Sequence, residues 1–234
     1  SLLHLPAIWV MDLKWKLPDE AIALRVKGVR VIFPGMVETK LTEPGVVLEK
    51  HKFEQWICEK AVEKGAELRL STRVETLEWK ENGQSEGSSK GKARYWIVKT
   101  NVGEMQAKIV VDASGVSAVT TRLLGINKRF ESVIGIQYEM QEIPTDGYLD
   151  FYLWPDLAPH GYLWMIPKNS GRANVGLVTN QNNKAKPFLD EFVRRLNWQG
   201  KKVVKTFGGL IPSSGPVENT VGNGLILVGD AAGF

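Results

Sequence analysis

The final thirteen residues of the chain, 222–234, carry residue types that could bind a small ligand. They read GNGLILVGDAAGF, and the apolar run Leu225–Val228 predicts a strand buried on both faces, as in a parallel sheet covered by helices. Asp230 follows the carboxyl end of this strand, where open α/β sheets bind their ligands. Residues 231–233 are small, so a ligand could reach the backbone N–H groups of the next turn. An ordinary strand-to-helix turn with an N-capping aspartate would explain the same pattern.

A second apolar strand ends in a similar way. The sequence IVVDASG at 109–115 leads into the small residues Ala113, Ser114 and Gly115. Small residues at the end of a strand allow the backbone to approach a bulky ligand closely. Taken alone, this segment also fits a plain strand-to-helix turn.

An aromatic pattern marks a third segment, YLWMIP at 162–167. On a strand, Tyr162, Trp164 and Ile166 share one face. Such a stripe usually packs in a core, but it could instead line an apolar cavity. After a turn, the sequence ANVGL at 173–177 predicts the neighbouring strand.

The first two segments resemble the flavin-binding boxes of FAD-dependent proteins of the aromatic-hydroxylase and geranylgeranyl-reductase type. In those proteins the strand-end aspartate binds the ribityl chain of FAD, and the second strand end passes close to the cofactor. The resemblance implies a cofactor-binding role for Gly229, Asp230, Ala113, Ser114 and Gly115.

The third segment is similar to the Tyr-x-Trp-x-Phe-Pro box of geranylgeranyl reductases, with Ile166 in place of phenylalanine. In that family the aromatic face borders a long apolar cavity. The resemblance implies a substrate-binding role for Tyr162, Trp164, Ile166 and Pro167. The ANVGL continuation and the GLIP sequence at 209–212 also match the family.

Lys50 is a further cofactor-binding candidate. It stands where the family usually has an arginine near the cofactor phosphates. Lysine supplies the charge of arginine but not its bidentate fork. A solvated lysine before a helix explains the residue equally well.

The order of these segments predicts a mixed α/β (α+β) fold. The resemblance implies part of an FAD-binding domain with a three-stranded meander at 1–127, an antiparallel-sheet substrate domain at 128–208, and a return to the FAD-binding domain at 209–234. Hydrophobic periodicity predicts a helix from Pro18 through Val26, a helix at 53–64 followed by a strand at 66–70, and an amphipathic helix at 187–198. The meander spans 73–111 and includes a polar, Gly/Ser/Lys-rich loop at 81–93.

The function implied by the resemblance is reduction of carbon–carbon double bonds in isoprenoid chains, a reaction of lipid biosynthesis. FAD, a prenyl-lipid substrate and an unidentified electron donor would be the partners of this oxidoreductase. Two alternatives stay open, namely a flavin-dependent aromatic monooxygenase of the same fold and an inert fragment without bound cofactor. Because the sequence contains no G-x-G-x-x-G loop, we expect the middle of a longer protein, which binds FAD weakly or not at all by itself.

Composition excludes several other classes of protein. The chain has 234 residues, of which 43% are hydrophobic and 24% charged, and its net charge of +4 is spread along the sequence, so we expect no nucleic-acid partner. No run of about eighteen apolar residues predicts a membrane span, and a peripheral membrane contact stays open. We expect a cytoplasmic protein, with or without membrane association. The single cysteine, Cys58, precludes an internal disulfide and is expected to be buried.

No catalytic residue can be assigned from the sequence. His4, His51 and His160 are isolated, and none is paired in the sequence with a second group that could share a proton. We expect no metal site. The proton donor of the implied reaction therefore stays unknown.

Overall fold

The computed structural model describes residues 16–81 and 94–234. The predicted polar loop lies, apart from its first residue, outside the described residues. The helices are α1 (Lys50–Glu63), α2 (Val119–Leu124) and α3 (Ala185–Arg195). The strands are β1 (Ile22–Val26), β2 (Gly28–Ile32), β3 (Glu38–Leu41), β4 (Gly45–Leu48), β5 (Val74–Glu81), β6 (Arg94–Thr100), β7 (Gly103–Ala107), β8 (Val110–Asp112), β9 (Ser132–Met140), β10 (Tyr148–Tyr152), β11 (Tyr162–Pro167), β12 (Ala173–Thr179), β13 (Val203–Pro212), β14 (Val221–Gly222) and β15 (Leu225–Leu227).

The described chain divides into two compact units, and the fold is mixed α/β as predicted. Residues 16–67 and 133–210 form one unit, which we call the sheet unit. Residues 68–81, 94–132 and 211–234 form the other, which we call the strand-end unit. Residues up to 67, expected with the first domain, thus group with the sheet at 133–210. The flavin-binding and substrate-binding roles of these parts stay predictions.

A seven-stranded sheet dominates the sheet unit. Its strand order is β13-β9-β12-β11-β10-β2-β3, antiparallel from β9 to β10 as the alternating sequence predicts. The pairing of β10 with β2 is parallel, with Phe151 opposite Val31. This pairing joins residues more than 100 positions apart, and it places the hairpin of β2 and β3 at the end of the sheet.

One face of this sheet packs against α3. Buried residues recur on the helix at the spacing of an amphipathic helix: Ala185, Leu189, Phe192 and Val193. They join a core with inward residues of the strands, among them Leu163, Met165, Val175 and Leu177. The predicted amphipathic helix is confirmed, with bounds shifted by two to three residues.

The opposite face is covered at one end by the antiparallel pair β1 and β4. Ala23, Val26 and Val47 of this pair pack with Leu149 and Ile166 of the large sheet. Helix α1 follows β4 and buries Phe53 against Ala21 and Leu48. Phe151 and Trp164 of the large sheet are partly buried against the same cluster.

The strand-end unit contains two three-stranded sheets. The antiparallel sheet β5-β6-β7 is the predicted meander, and the second sheet has the order β14-β15-β8. Leu77, Trp96 and Val98 of the first pack with Leu225 and Leu227 of the second.

Several predictions of local structure are wrong. Ile22–Val26 is a strand and not a helix, because its backbone pairs with β4. The predicted strand at 66–70 is irregular, and Leu68 and Leu70 are exposed. The third strand of the meander was predicted at 107–111, but it is Gly103–Ala107, and Val110–Asp112 joins the other sheet.

The expectation of a buried cysteine is also wrong. Cys58 is exposed on α1. It lies five residues after Phe53, the buried anchor of the helix. Five residues turn an α-helix by about 500°, which places the two side chains on different sides.

Candidate functional site

The two predicted flavin-binding segments follow neighbouring parallel strands. Strands β8 and β15 pair in parallel, with Leu227 opposite Asp112, and the Val228 N–H donates to the Asp112 carbonyl oxygen at 3.0 Å. Parallel strands end at the same sheet edge, so residues 113–115 and 229–230 lie at one edge. The short 3₁₀ turns Gly115–Ser117 and Gly229–Ala232 lie against each other there.

Asp112, which the sequence reasoning did not single out, organises the first of these turns. Its buried carboxylate accepts hydrogen bonds from the Ser114 N–H at 2.9 Å, the Thr120 N–H at 2.8 Å and the Thr120 hydroxyl at 2.6 Å. Burial acts to raise the pKa of Asp112, but these hydrogen bonds outweigh it and hold the pKa below its ordinary value. The carboxylate thus stays charged and fixes the loop between β8 and α2.

Ser114 has a structural contact as well. Its hydroxyl oxygen accepts a hydrogen bond from the Val119 N–H at 2.9 Å, which satisfies a donor in the first turn of α2. Any contact of Ser114 with a cofactor would therefore use the remaining capacity of the hydroxyl or the backbone.

Two glycines shape the edge. Gly115 and Gly229 have φ angles of +64° and +57°, which favour glycine, and a Cβ at either position would meet no atom within 4 Å. Ala118 also has a positive φ, +39°, although it is not glycine. The backbone at this edge is thus held in uncommon conformations next to open space, as is frequent where a ligand approaches the main chain.

Asp230 differs from Asp112 in its surroundings. It is half-buried, and within the described residues its carboxylate makes no hydrogen bond or ion pair. The residue that precedes the 3₁₀ turn is Val228, and no side chain caps that turn. Asp230 therefore does not cap this 3₁₀ turn, and its role toward a ligand stays a prediction.

Lys50 lies in the sheet unit, at the first position of α1. Its ammonium group is 3.4 Å from the Glu54 carboxylate, and both side chains are exposed. This geometry is that of a surface ion pair one helical turn apart. The structure offers no observation for a cofactor role of Lys50.

The aromatic box lies on β11, where Leu163 and Met165 face the core under α3. Tyr162, Trp164 and Ile166 face the other side, as the alternation predicts. Ile166 and Pro167 are buried, whereas Tyr162 and Trp164 are only half-buried. The Tyr162 ring lies 5.8 Å from that of Trp164. The two aromatic residues are therefore neither ordinary core nor freely exposed.

Gly176 explains how Trp164 is placed. Gly176 lies on β12, between Trp164 on the neighbouring strand β11 and Gln137 on the neighbouring strand β9. The Trp164 indole N–H donates to the Gln137 side-chain oxygen at 3.2 Å. A Cβ at Gly176 would lie 2.6 Å from the Trp164 ring, so the glycine provides the room in which the indole crosses β12. An isolated glycine inside a strand is the sequence signal for such a close approach.

Replacing Gly176 by alanine should therefore displace Trp164. The new methyl group would also lie 2.6 Å from Ile136 O and Gln137 Cβ, and such overpacking costs about 1–3 kcal/mol. Urea unfolding measures the loss. Gly209→Ala is the matched control, because a Cβ there meets nothing within 4 Å. Equal midpoints for the two variants would contradict this account.

A buried ionic network closes one end of the sheet unit. Lys168 and Glu49 are 6% and 8% exposed, and the Lys168 Nζ lies 3.0 Å from Glu49 Oε2 and 3.5 Å from Glu139 Oε2. Arg172 binds the same two carboxylates at 2.6 and 3.0 Å. Burial acts to raise the pKa of Glu49, but the hydrogen bonds from Lys168 and Arg172 outweigh it and lower the pKa. The network links the β4–α1 junction to the β11–β12 hairpin.

No group of His, Cys, Asp and Glu in the described ranges could hold a metal ion. The structure also identifies no proton donor, and His160 and His51 show no partner that would activate them among the described residues.

Comparison with known proteins shows which proteins this chain is similar to. Residues 131–211 match the family model for the geranylgeranyl reductase catalytic domain. The digeranylgeranylglycerophospholipid reductase of Methanosarcina acetivorans is 34% identical over 227 residues, which cover 90% of this chain and 54% of that protein. The reductase of the same name from Methanoculleus marisnigri is 31% identical, with coverage of 90% and 55%. The chain thus spans about half the length of the curated relatives it matches.

Solved structures agree with this result. A geranylgeranyl bacteriochlorophyll reductase-like protein from Thermoplasma acidophilum superimposes with a TM-score of 0.79 at 30% identity, covering 93% of this chain and 57% of that one. A flavin-dependent brominase superimposes with a TM-score of 0.68 at 20% identity, covering 92% of this chain and 58% of that one, which shows a shared fold alone. Residues 131–211 thus match the geranylgeranyl reductase catalytic-domain model, and about nine tenths of the chain is similar to geranylgeranyl-reductase-like proteins.

Proposed function

We propose that the protein is an FAD-dependent reductase of carbon–carbon double bonds in prenyl lipids. One observation carries the proposal: the catalytic-domain match at 131–211 covers the strands that hold Tyr162, Trp164 and Gly176. The curated relatives are named as reductases of digeranylgeranylglycerophospholipid. A prenyl lipid is therefore the substrate class that we propose for this protein.

The residues at the strand-end edge fit a bulky cofactor such as FAD. Gly115 and Gly229 leave the backbone open, and Asp230 has a carboxylate without a partner in the described chain. We propose that these three residues, with Ala113 and the Ser114 backbone, hold the cofactor. A bound reduced flavin supplies the hydride that such a reduction requires.

The sheet unit would contribute position and a dry surface. Tyr162, Trp164 and Phe151 are half-buried neighbours on one sheet face, with the Phe151 and Tyr162 rings 5.7 Å apart. Apolar surface of this kind binds a hydrocarbon chain and excludes water from it. Because Gln137 holds the Trp164 indole in place, the hydrocarbon chain of the lipid would bind to a surface of fixed shape.

The monooxygenase alternative has less support. It rests on the shared fold of flavin-dependent enzymes, whereas the family match and the aromatic box favour a reductase. The electron donor stays unidentified. No helix within residues 16–81 and 94–234 has the length and apolar character to cross a bilayer. A peripheral membrane contact and the cytoplasmic location stay predictions.

The experiment that tests the activity uses the full-length protein. Purified protein reconstituted with FAD and reduced chemically under anaerobic conditions is mixed with digeranylgeranylglycerophospholipid. Mass spectrometry should show the gain of one hydrogen molecule per reduced double bond. Hydroxylation of a phenolic substrate in air, without reduction of the lipid, would support the monooxygenase instead.

Asp230→Ala tests the cofactor site. A hydrogen bond to a charged group contributes about 1.5–3 kcal/mol, so the Kd of full-length protein for FAD should rise roughly tenfold to a hundredfold. Flavin fluorescence titration measures it. Glu218→Ala removes an exposed carboxylate from the same unit and should leave the Kd unchanged. An unaltered Kd in Asp230→Ala would remove Asp230 from the site.

FAD titration of residues 1–234 alone tests the inert alternative, for which no binding is expected.

A further inference from the structure

An apolar strip continues from the aromatic box to the end of the seven-stranded sheet. Phe151 on β10 is the Cα partner of Trp164 on one side and of Val31 on the other. Just beyond Ile32, the Phe33 N–H donates to the Val37 carbonyl oxygen at 2.8 Å, so the β2–β3 ladder extends to these residues. By strand alternation the following side chains share one face: Tyr162, Trp164, Phe151, Leu153, Val31, Phe33 and Val37.

Exposure increases along this apolar strip. Tyr162, Trp164, Phe151 and Val31 are half-buried, whereas Phe33, Leu153 and Val37 are 38%, 40% and 64% exposed. In the described chain, β3 is the last strand of the sheet. The apolar strip therefore opens to solvent at the β3 edge. From β11 to β3 it crosses three inter-strand spacings, about 14 Å.

The charged residues of the same strands lie on the opposite face. Asp150, Arg30, Glu38 and Lys40 alternate with the residues of the strip. They pair with one another there, with Arg30 Nε 2.8 Å from Asp150 Oδ1 and Lys40 Nζ 2.8 Å from Glu38 Oε1. Water reaches both faces at this edge, because Lys40 and Glu38 are 41% and 42% exposed, but one face carries the charges and the other carries the apolar strip. Charged side chains thus protect one face of the edge strand, as is usual, whereas the face of the apolar strip has none.

We propose that the apolar strip binds the hydrocarbon chain of the lipid substrate and leads it from the aromatic box to the β3 edge. The proposal rests on the proposed function and assigns to the same site the residues beyond the box: Val31, Phe33, Val37 and Leu153. The occupant is a lipid chain because the strip is continuous with the half-buried box and crosses three strands without a charge. Binding to a bilayer would involve only the exposed end of the β2–β3 hairpin and would not explain the half-buried part of the strip. Long chains would reach Val37, and short chains would contact the box alone.

The test compares Val37→Asp with Val62→Asp in the full-length protein. Val62 is a matched control, since it is 47% exposed in the same unit but lies on α1, away from the strip. The probes are phytanol and the shorter tetrahydrogeraniol, saturated isoprenoid alcohols that the protein cannot reduce. A carboxylate against hydrocarbon must lose water. We therefore expect Val37→Asp to raise the Kd for phytanol about tenfold and the Kd for tetrahydrogeraniol less than about twofold, where tenfold is about 1.4 kcal/mol.

Other outcomes separate the explanations. Equal phytanol affinities in the two variants would overturn the proposal, and so would equal losses for the long and the short alcohol. Release of Val37→Asp from phosphatidylcholine vesicles, with phytanol binding unchanged, would assign the strip to a bilayer and overturn it too. Retained affinity in Val37→Leu would support it. These probes bind without being reduced, so the test of the strip is independent of the proposed activity. If the protein reduced no lipid but showed the expected pattern of Kd values, the strip would be supported and the proposed activity would be contradicted.

Discussion

Replacing Glu49 by glutamine should lower the free energy of unfolding by about 3 kcal/mol, near the lower limit for breaking a buried ion pair. The substitution keeps the volume of the side chain but removes the charge that Lys168 meets at 3.0 Å and Arg172 at 2.6 Å. Lys168 is then left with Glu139 at 3.5 Å in a site that is 6% exposed. An ammonium group with too little negative charge around it is costly in such a site.

Glu54→Gln provides the control for this effect. Glu54 is paired with Lys50 at 3.4 Å, but its side chain is 61% exposed, and pairs of that kind contribute about 0–1 kcal/mol. Guanidinium unfolding at neutral pH should separate the two variants clearly. The double variant Glu49→Gln/Lys168→Met should recover part of the loss, because it leaves Glu139 and Arg172 as a balanced pair. Similar stabilities for Glu49→Gln and Glu54→Gln would contradict a structural role of the network.

The local hydrophobic pattern is sufficient to predict elements whose structure depends on residues close together in the sequence. The spacing of Leu189, Phe192 and Val193 predicts α3, and the alternation in YLWMIP predicts both faces of β11. The glycine and small residues after two apolar strands predict their ends. These signals arise from periods of 3.6 and 2.0, which burial of one face imposes on any sequence.

Long-range pairing was not readable in the same way. Arg30 and Asp150, 120 residues apart, are brought together by the parallel pairing of β2 and β10. Neither segment contains a sequence pattern that indicates which strand it pairs with, so the hairpin at 28–41 was expected in a different domain from β10. The strand Ile22–Val26 shows the same limitation, because its pairing with β4 overrides the helix signal of Pro18 and Asp19.

The two aspartates at the strand ends show where sequence reasoning about the site stopped. Asp112 and Asp230 both follow short apolar strands and precede small residues. Only the structure separates them, since Asp112 accepts three hydrogen bonds and Asp230 accepts none in the described chain. The resemblance to flavin-binding boxes implies a role for Asp230 but gives no indication of the structural role of Asp112.

Asp112→Asn should therefore destabilise the protein by about 2–4 kcal/mol, whereas Asp230→Asn should change stability by less than about 0.5 kcal/mol. Asparagine keeps the size of the side chain, so no cavity forms. Its NH₂ group, however, cannot accept the Thr120 N–H bond, and a buried donor without an acceptor costs about 1–3 kcal/mol. Loss of the charge weakens the remaining bonds from Ser114 and the Thr120 hydroxyl further.

The pH dependence gives this prediction a second readout. Because the pKa of Asp112 is lower in the folded protein than its ordinary value of about 3.9, the carboxylate stabilises the fold fully above that value. This stabilisation is lost as the pH falls through the lowered pKa. The difference in unfolding free energy between the wild type and Asp112→Asn should therefore be largest near neutral pH and shrink below about pH 4. Urea unfolding at several pH values measures it. A difference that stays constant down to low pH would mean that the charge of Asp112 does not hold the loop, and the fixed position of residues 113–115 would then need another cause.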